Sequence, residues 1–149
     1  MKLRELIDRQ GRKSFKISSD KTVEEAVKFM IEKDVSALIV EEHERPAGIF
    51  TEKDMITAYK KFGRERFLDT PLREAMTNKL IVASPDDSLE QSISLMLQTG
   101  IKHLPVVEQG EVTTILYICD LIHEQVGALT ADVHYLEEYL QDLERAKKD

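Results

Sequence analysis

Residues 22–30, Thr22-Val23-Glu24-Glu25-Ala26-Val27-Lys28-Phe29-Met30, return 66 positions later as Ser88-Leu89-Glu90-Gln91-Ser92-Ile93-Ser94-Leu95-Met96. The register then holds without a gap: Val35 meets Ile101, Leu38 meets Leu104, Val40 meets Val106, Ile49 meets Ile115 and Asp54 meets Asp120, while upstream Asp20 meets Asp86. Self-similarity sustained at one offset marks a duplicated supersecondary unit. Farther upstream, Leu3-Arg4-Glu5 matches Leu72-Arg73-Glu74 at an offset of 69, which assigns three extra residues of the first copy to the loop from Gln10 to Lys13.

Both copies share one local grammar. Thr22 with Glu25, and Ser88 with Gln91, have capping-box spacing, which satisfies the orphan amides of a helix start. Val23, Ala26, Val27, Met30 and Ile31 then form the stripe of a helix packed on one face, and Leu89, Ile93, Met96 and Leu97 repeat it. A β-branched run follows each helix (Val35 to Val40, Ile101 to Val107). Then come a turn (Glu44-Arg45-Pro46, Gln109-Gly110) and a second run (Ala47 to Phe50, Val112 to Leu116). A second helix is expected from Thr51 to about Phe62, and from about Ile118 in the second copy. Each unit therefore reads strand, helix, strand, strand, helix, a mixed α/β (α+β) class.

Each unit is too short to bury its apolar faces alone, so the two are expected to pack sheet to sheet about a pseudo-two-fold axis. The predicted division is 1–62 for the first copy with its N-terminal helix and 63–78 for a connecting segment with Pro71 and a short helix at Leu72 to Met76. The second copy takes 79–124 and a C-terminal amphipathic helix 125–149.

Composition narrows the function. The chain has 149 residues, 42% hydrophobic and 33% charged, which suits an ordinary globular protein. Its net charge of -7 repels phosphate backbones, so nucleic-acid binding is not expected, whereas a small anion held by a few local donors is compatible. One cysteine, Cys119, permits no intramolecular disulfide and suits a reducing compartment. No segment approaches the roughly 20 apolar residues of a membrane span, and a cytoplasmic protein without a membrane is expected.

With the ending Gly48-Ile49-Phe50-Thr51-Glu52-Lys53-Asp54 and the strand His103-Leu104-Pro105-Val106-Val107, each unit resembles the CBS domain, and the tandem resembles a CBS pair (Bateman module) from Leu3 to about His123. The resemblance implies a regulatory sensor that binds an adenosine-containing ligand (AMP, ADP, ATP, S-adenosylmethionine or a dinucleotide) between the repeats and signals to a separate effector. It carries phosphate contact to Thr51 and ribose contact to Asp54. It adds a strand at Ile81, Val82 and Ser84 against the base, with Lys102 and His103 near the phosphates. A second, weaker cleft would be built from Phe15, Lys16, Ile17, Ser18, Ser36 and Ala37 with Tyr117 and Asp120. There Thr114 stands where Gly48 does, Tyr117 replaces Thr51, Ala37 replaces His103 and Ile39 replaces Pro105. Tyr117 would either plug that cleft or stack on a base.

Physical chemistry supports both a structural and a binding role for these residues. Thr51 is a good N-cap and Asp54 suits the positive end of a helix dipole. The same helix start offers amides to a phosphate, and a carboxylate can accept from vicinal ribose hydroxyls. Lys102 and His103 point to opposite faces if the strand begins there.

Ile122, Val126, Leu129, Val133, Leu136, Leu140 and Leu143 recur at alternating spacings of four and three, a coiled-coil seam. Homodimerisation through this helix and through the CBS faces is expected. A parallel pair would oppose Asp132 at a g position to Glu137 at e, leaving an antiparallel pair or packing on the chain's own domain open. Gly127 is a candidate break.

No P-loop, His-Glu-x-x-His or nucleophile elbow is present, and neither Cys119 with His123 nor His134 with Glu137 completes a catalytic or metal set. No catalytic residue and no metal are expected. The alternative to a sensor is a scaffold with vestigial pockets that only dimerises.

Overall fold

A computed structural model describes residues 1–10 and 13–148, so the loop expected to hold three extra residues lies, at Gly11 and Arg12, outside the described residues. The order is α1 (Leu3–Gln10), β1 (Lys16–Ser18), α2 (Val23–Lys33), β2 (Ala37–Glu42), β3 (Arg45–Thr51) and α3 (Glu52–Phe62). After a 3-10 turn at Phe67–Asp69 come α4 (Leu72–Ala75), α5 (Leu89–Thr99), β4 (His103–Glu108), β5 (Glu111–Tyr117) and α6 (Ile118–Lys148). This is a mixed α/β fold of two similar units.

The duplication extends to backbone detail. Helix α2 opens on a complete capping box, with Thr22 N–H donating to Glu25 at 2.9 Å and Glu25 N–H to Thr22 Oγ1 at 3.2 Å. In α5 the Ser88 hydroxyl accepts from Gln91 N–H at 3.0 Å. The two hairpins share a bulge, after Val40 and after Val106. Each turns through two residues of positive φ, His43 and Glu44 in one and Gln109 and Gly110 in the other, the backbone that matches strand twist in two-residue loops. The first turn thus sits at His43-Glu44, and Arg45 and Pro46 belong to β3 rather than to the turn. The expectation at Glu44-Arg45-Pro46 followed proline as a turn marker, but Pro46 lies at the bulge opposite Glu41, where a missing N–H costs no ladder bond.

One strand is nearly lost in the second copy. β1 pairs parallel with β2 over three residues. Its counterpart shrinks to a single bridge in which Ala83 N–H donates to the Pro105 carbonyl at 2.9 Å and Val107 N–H to the Ala83 carbonyl at 2.8 Å. The expected strand at Ile81 to Ser84 is therefore one bridged residue, Ala83.

Among the described residues, three apolar clusters hold the fold together. One joins Val23, Ala26, Met30, Leu38, Val40, Phe50 and Ala58 of the first copy to Leu72 and Ala75 of α4. Another joins Leu89, Met96, Leu104, Val106, Leu116 and Leu121 of the second copy to Leu3 and Leu6 of α1. The N-terminal helix, contiguous with the first copy in sequence, thus packs into the second, and α4 packs into the first. The backbone pins this exchange in matching pairs: Leu3 N–H donates to the Asp87 carbonyl and Leu72 N–H to Lys21, and Arg4 N–H donates to Pro85 and Arg73 N–H to Ser19. Outside, Arg4 bridges Asp86 and Glu108 while Arg73 bridges Asp20 and Glu42, the equivalent carboxylates. The third cluster, Ala37, Ile39 and Ile49 against Val112 and Ile115, with Leu80, Val107 and Tyr117 around it, is the joint between the two sheets.

Helix α6 runs through Gly127 without a break. Leu121 in its first turns is fully buried against the second copy, whereas every side chain from Val126 to Lys147 is exposed. Within this chain the helix therefore does not cover its own domain. No helix among the described residues is long and apolar enough to cross a membrane.

Candidate functional site

Where β3 ends and α3 begins, the extended Thr51 hands over to a helix whose third residue is Asp54. The Asp54 carboxylate folds back to accept from Thr51 N–H at 2.9 Å and from the Thr51 hydroxyl at 3.3 Å, both on Oδ2. Its Oδ1 accepts from the Thr77 hydroxyl at 2.8 Å. Asp54 is buried. An ionised carboxylate offers about four lone-pair sites, so acceptor capacity remains on Oδ1.

Thr77 reaches Asp54 because of Gly48. Residue 77 forms a bridge with Ile49, each N–H donating to the other carbonyl at 2.9 Å. A Cβ on Gly48 would stand 2.5 Å from the Thr77 carbonyl oxygen and 2.9 Å from Met76 Sδ. The glycine lets the connecting segment lie directly on β3. At the equivalent place in the second copy stands the buried Thr114.

Around this corner opens a cleft of about 890 Å³ between the two copies, within the roughly 300–1,000 Å³ of small-molecule sites. From the first copy it takes Ile49, Thr51, Glu52, Lys53, Asp54, Ile56 and Thr57, and from the stretch between α4 and α5 Thr77, Lys79, Leu80 and Ile81. Thr99, Gly100, Ile101, Lys102, His103 and Pro105 come from the second copy. Lys53, Lys79 and Lys102, all exposed, outnumber Glu52 and Asp54, so the lining is positive in a chain of net charge -7. Ile49, Leu80, Ile81, Ile101 and Pro105 supply an apolar wall. Such a surface can take a flat apolar ring, a diol at the carboxylate and an anion among the ammonium groups.

Of the residues expected in this cleft, Thr51, Asp54, Ile81, Lys102 and His103 meet there. Val82 and Ser84 do not. Val82 is 42% exposed, and Ser84 is spent on its own turn, its N–H donating to Asp87 at 2.8 Å and its hydroxyl accepting from Asp86 N–H at 3.3 Å. The alternation of a full strand fails here because only Ala83 pairs. Thr77, Lys79 and Leu80 were missed: Thr77 lies in the predicted connecting segment, and Lys79 and Leu80 precede the residues expected as a strand.

His103 stands differently from a cationic phosphate ligand. Its Nε2 and the Ser36 hydroxyl hydrogen-bond at 2.9 Å, and its ring meets Tyr117 edge-on with centroids 4.9 Å apart. Burial pushes its pKa below the ordinary value, and the nearby Glu52 and Asp54 only partly oppose this. A neutral imidazole at pH 7 can hydrogen-bond, while the positive charge of the cleft comes from its lysines.

Of the second set, Ser36, Ala37 and Tyr117 come together around His103 and the sheet joint, and the others are placed apart from them. Phe15 sits edge-on to Phe29 at 6.0 Å beneath Lys33, and Ser36 is taken by His103. Ala37 is buried in the joint between the sheets, with Tyr117 packed beside it. Lys16, Ile17 and Ser18 line a separate cavity of about 280 Å³ with Glu41, His43 and Glu44, which neither Tyr117 nor Asp120 enters.

A family model described as CBS domain matches the chain twice, over residues 5–61 and 72–127. The CBS domain-containing protein YhcV of Bacillus subtilis is 32% identical over 111 residues, 74% of this chain and 78% of that protein. The CBS-domain containing protein ATU1752 from Agrobacterium tumefaciens superposes with a TM-score of 0.78 at 25% identity, covering 84% of this chain and 99% of that one. CBS domain protein PAE2072 from Pyrobaculum aerophilum, solved complexed with AMP, superposes with a TM-score of 0.67 at 22% identity over 80% and 89% of the two chains. The two matches fall on the two copies of the internal repeat, and the chain belongs to the CBS domain family as a tandem pair.

Proposed function

We propose that the protein is a regulatory module that binds an adenosine-containing ligand (AMP, ADP, ATP or S-adenosylmethionine) in the cleft between its repeats and signals its occupancy to a separate effector protein. The observation that carries this is a buried carboxylate with spare acceptor capacity beside three lysines and an apolar wall. The AMP-bound neighbour of the same fold supports the ligand class. In this reading Asp54 accepts from the ribose, and Lys53, Lys79 and Lys102 attract the phosphates. The base lies against Leu80, Ile81 and Pro105. Because the lining comes from both repeats, a ligand favours the arrangement that best closes on it, a population shift that needs no catalytic step. The module acts in the cytoplasm.

Self-association through the CBS faces fits the same reading. Ile31 and its equivalent Leu97 are 74% and 63% exposed, and Ile56 and its equivalent Ile122 are 64% and 38% exposed, one apolar set on each repeat. The same faces favour a second reading, a scaffold that dimerises without sensing.

Thermal unfolding of the full chain and of Asp54→Ala, against AMP, ADP, ATP and S-adenosylmethionine with and without magnesium, separates the two. A ligand at 100 times its Kd adds about 2.7 kcal/mol, which at this chain length moves Tm by several degrees. The sensor reading expects one adenosine ligand to shift the wild type and to shift the variant by clearly less. A panel that moves neither protein overturns it in favour of the scaffold.

A further inference from the structure

Beyond the cleft, α6 carries an apolar face that the proposed function does not use. Val126, Leu129, Val133, Leu136, Leu140 and Leu143 are between 43% and 59% exposed, on a helix that runs clear of the domain. A lipid surface is a poor occupant. Helices that lie on membranes carry Lys and Arg on the polar face, whereas the stretch from Val126 to Lys147 has Asp132, Glu137, Glu138, Asp142 and Glu144 against Arg145 and Lys147.

We propose that α6 pairs antiparallel with the α6 of a second copy of this chain, in one register that seats Val126 against the partner's Leu143, Leu129 against its Leu140 and Val133 against its Leu136. The charges select both direction and register. With these apolar residues at the a and d positions, a parallel pair sets Asp132 against Glu137 on both sides. Reversal brings e positions beside e and g beside g. In the proposed register Thr130 then faces the partner's Glu137, Asp132 faces the hydroxyl-bearing Tyr139 and His123 faces Glu144, with no like charges opposed. Sliding one heptad either way is worse: one shift sets Asp132 on its own symmetry mate, and the other sets Glu137 on its own. The paired seam from Val126 to Leu143 spans about 25 Å at 1.5 Å per residue.

The pairing builds on the self-association proposed above and is independent of any ligand. Its test uses two full-length chains in a Cys119→Ser background, one with Val126→Cys and one with Leu143→Cys, treated singly and mixed with a short bis-maleimide. In the proposed register a cysteine at 126 lies about 25 Å from its own symmetry mate by helix rise but beside one at 143. The mixture should therefore cross-link and each chain alone should not. Cross-linking of either chain alone means a parallel pair and overturns the proposal. No cross-link with a dimer by sedimentation also overturns it while sparing association through the CBS faces, and a monomer overturns both. Glu137→Lys, free of engineered cysteines, is a second readout. It should leave the dimer unchanged, whereas a parallel pair would gain an ion pair to Asp132 and tighten.

Discussion

Asp54 accepts three hydrogen bonds from Thr51 and Thr77, so it organises the corner, and in the proposed function it also receives the ribose. Asp54→Ala should lower adenosine-ligand affinity by roughly ten- to a hundred-fold, the range expected for hydrogen bonds to a charged group, as read by calorimetry. Gly48→Ala attacks the same corner from behind. Its new methyl would press on the Thr77 carbonyl, so the connecting segment must lift away. A loss of about 1–3 kcal/mol, the usual cost of overpacking, should appear in denaturant unfolding together with weakened ligand binding. His103 gives a pH signature. Its folded pKa is depressed by burial, so below the ordinary value near 6.5 the unfolded chain binds more protons. Stability should fall as pH drops through 6.5 toward the folded pKa, and His103→Gln should flatten that part of the Tm profile.

Among the elements, the first hairpin holds the non-glycine Glu44 at φ 63, where the second has Gly110 at φ 80. Glu44→Gly should stabilise the protein by up to about 1 kcal/mol, since the left-handed backbone costs an L-residue roughly 1–2 kcal/mol and glycine's extra chain entropy takes part of that back. The elements were legible because each copy repeats its cap, stripe and β-branched run in register, so Val23 and Leu89, or Val40 and Val106, support one another. What stayed hidden depends on docking rather than on pattern. Nothing periodic in Leu3 or Leu72 says which repeat it enters, and only the paired amide bonds from residues 3 and 72 reveal the exchange. Thr77 and Lys79 sit between α4 and α5 with no stripe to read, and the contact that brings Thr77 to the cleft is a glycine's missing side chain. For Val82 and Ser84, strand alternation was applied to a strand that survives as one bridge.

At the scale of the whole molecule, the sheet joint through Ala37, Ile39, Ile49, Val112 and Ile115 and the two exchanged helices tie both repeats into one body. Leu3→Ala and Leu72→Ala, at fully buried positions, should each cost about 2–5 kcal/mol. Calorimetry of either variant should still show one transition, because neither repeat keeps its core without the other's helix. The surface bridges of Arg4 and Arg73 are half exposed, and replacing either with Ala should move the Tm far less than Leu3→Ala or Leu72→Ala does. The exchange also implies that this fold can be assembled from pieces. Severed in the turn after Gly63, the polypeptide yields two fragments, each holding the helix that completes its counterpart and missing the one that completes itself. Separately they should be molten and sticky, and mixed they should reconstitute a stoichiometric 1:1 complex, the behaviour of a natural split protein whose two halves recognise each other by what each lacks.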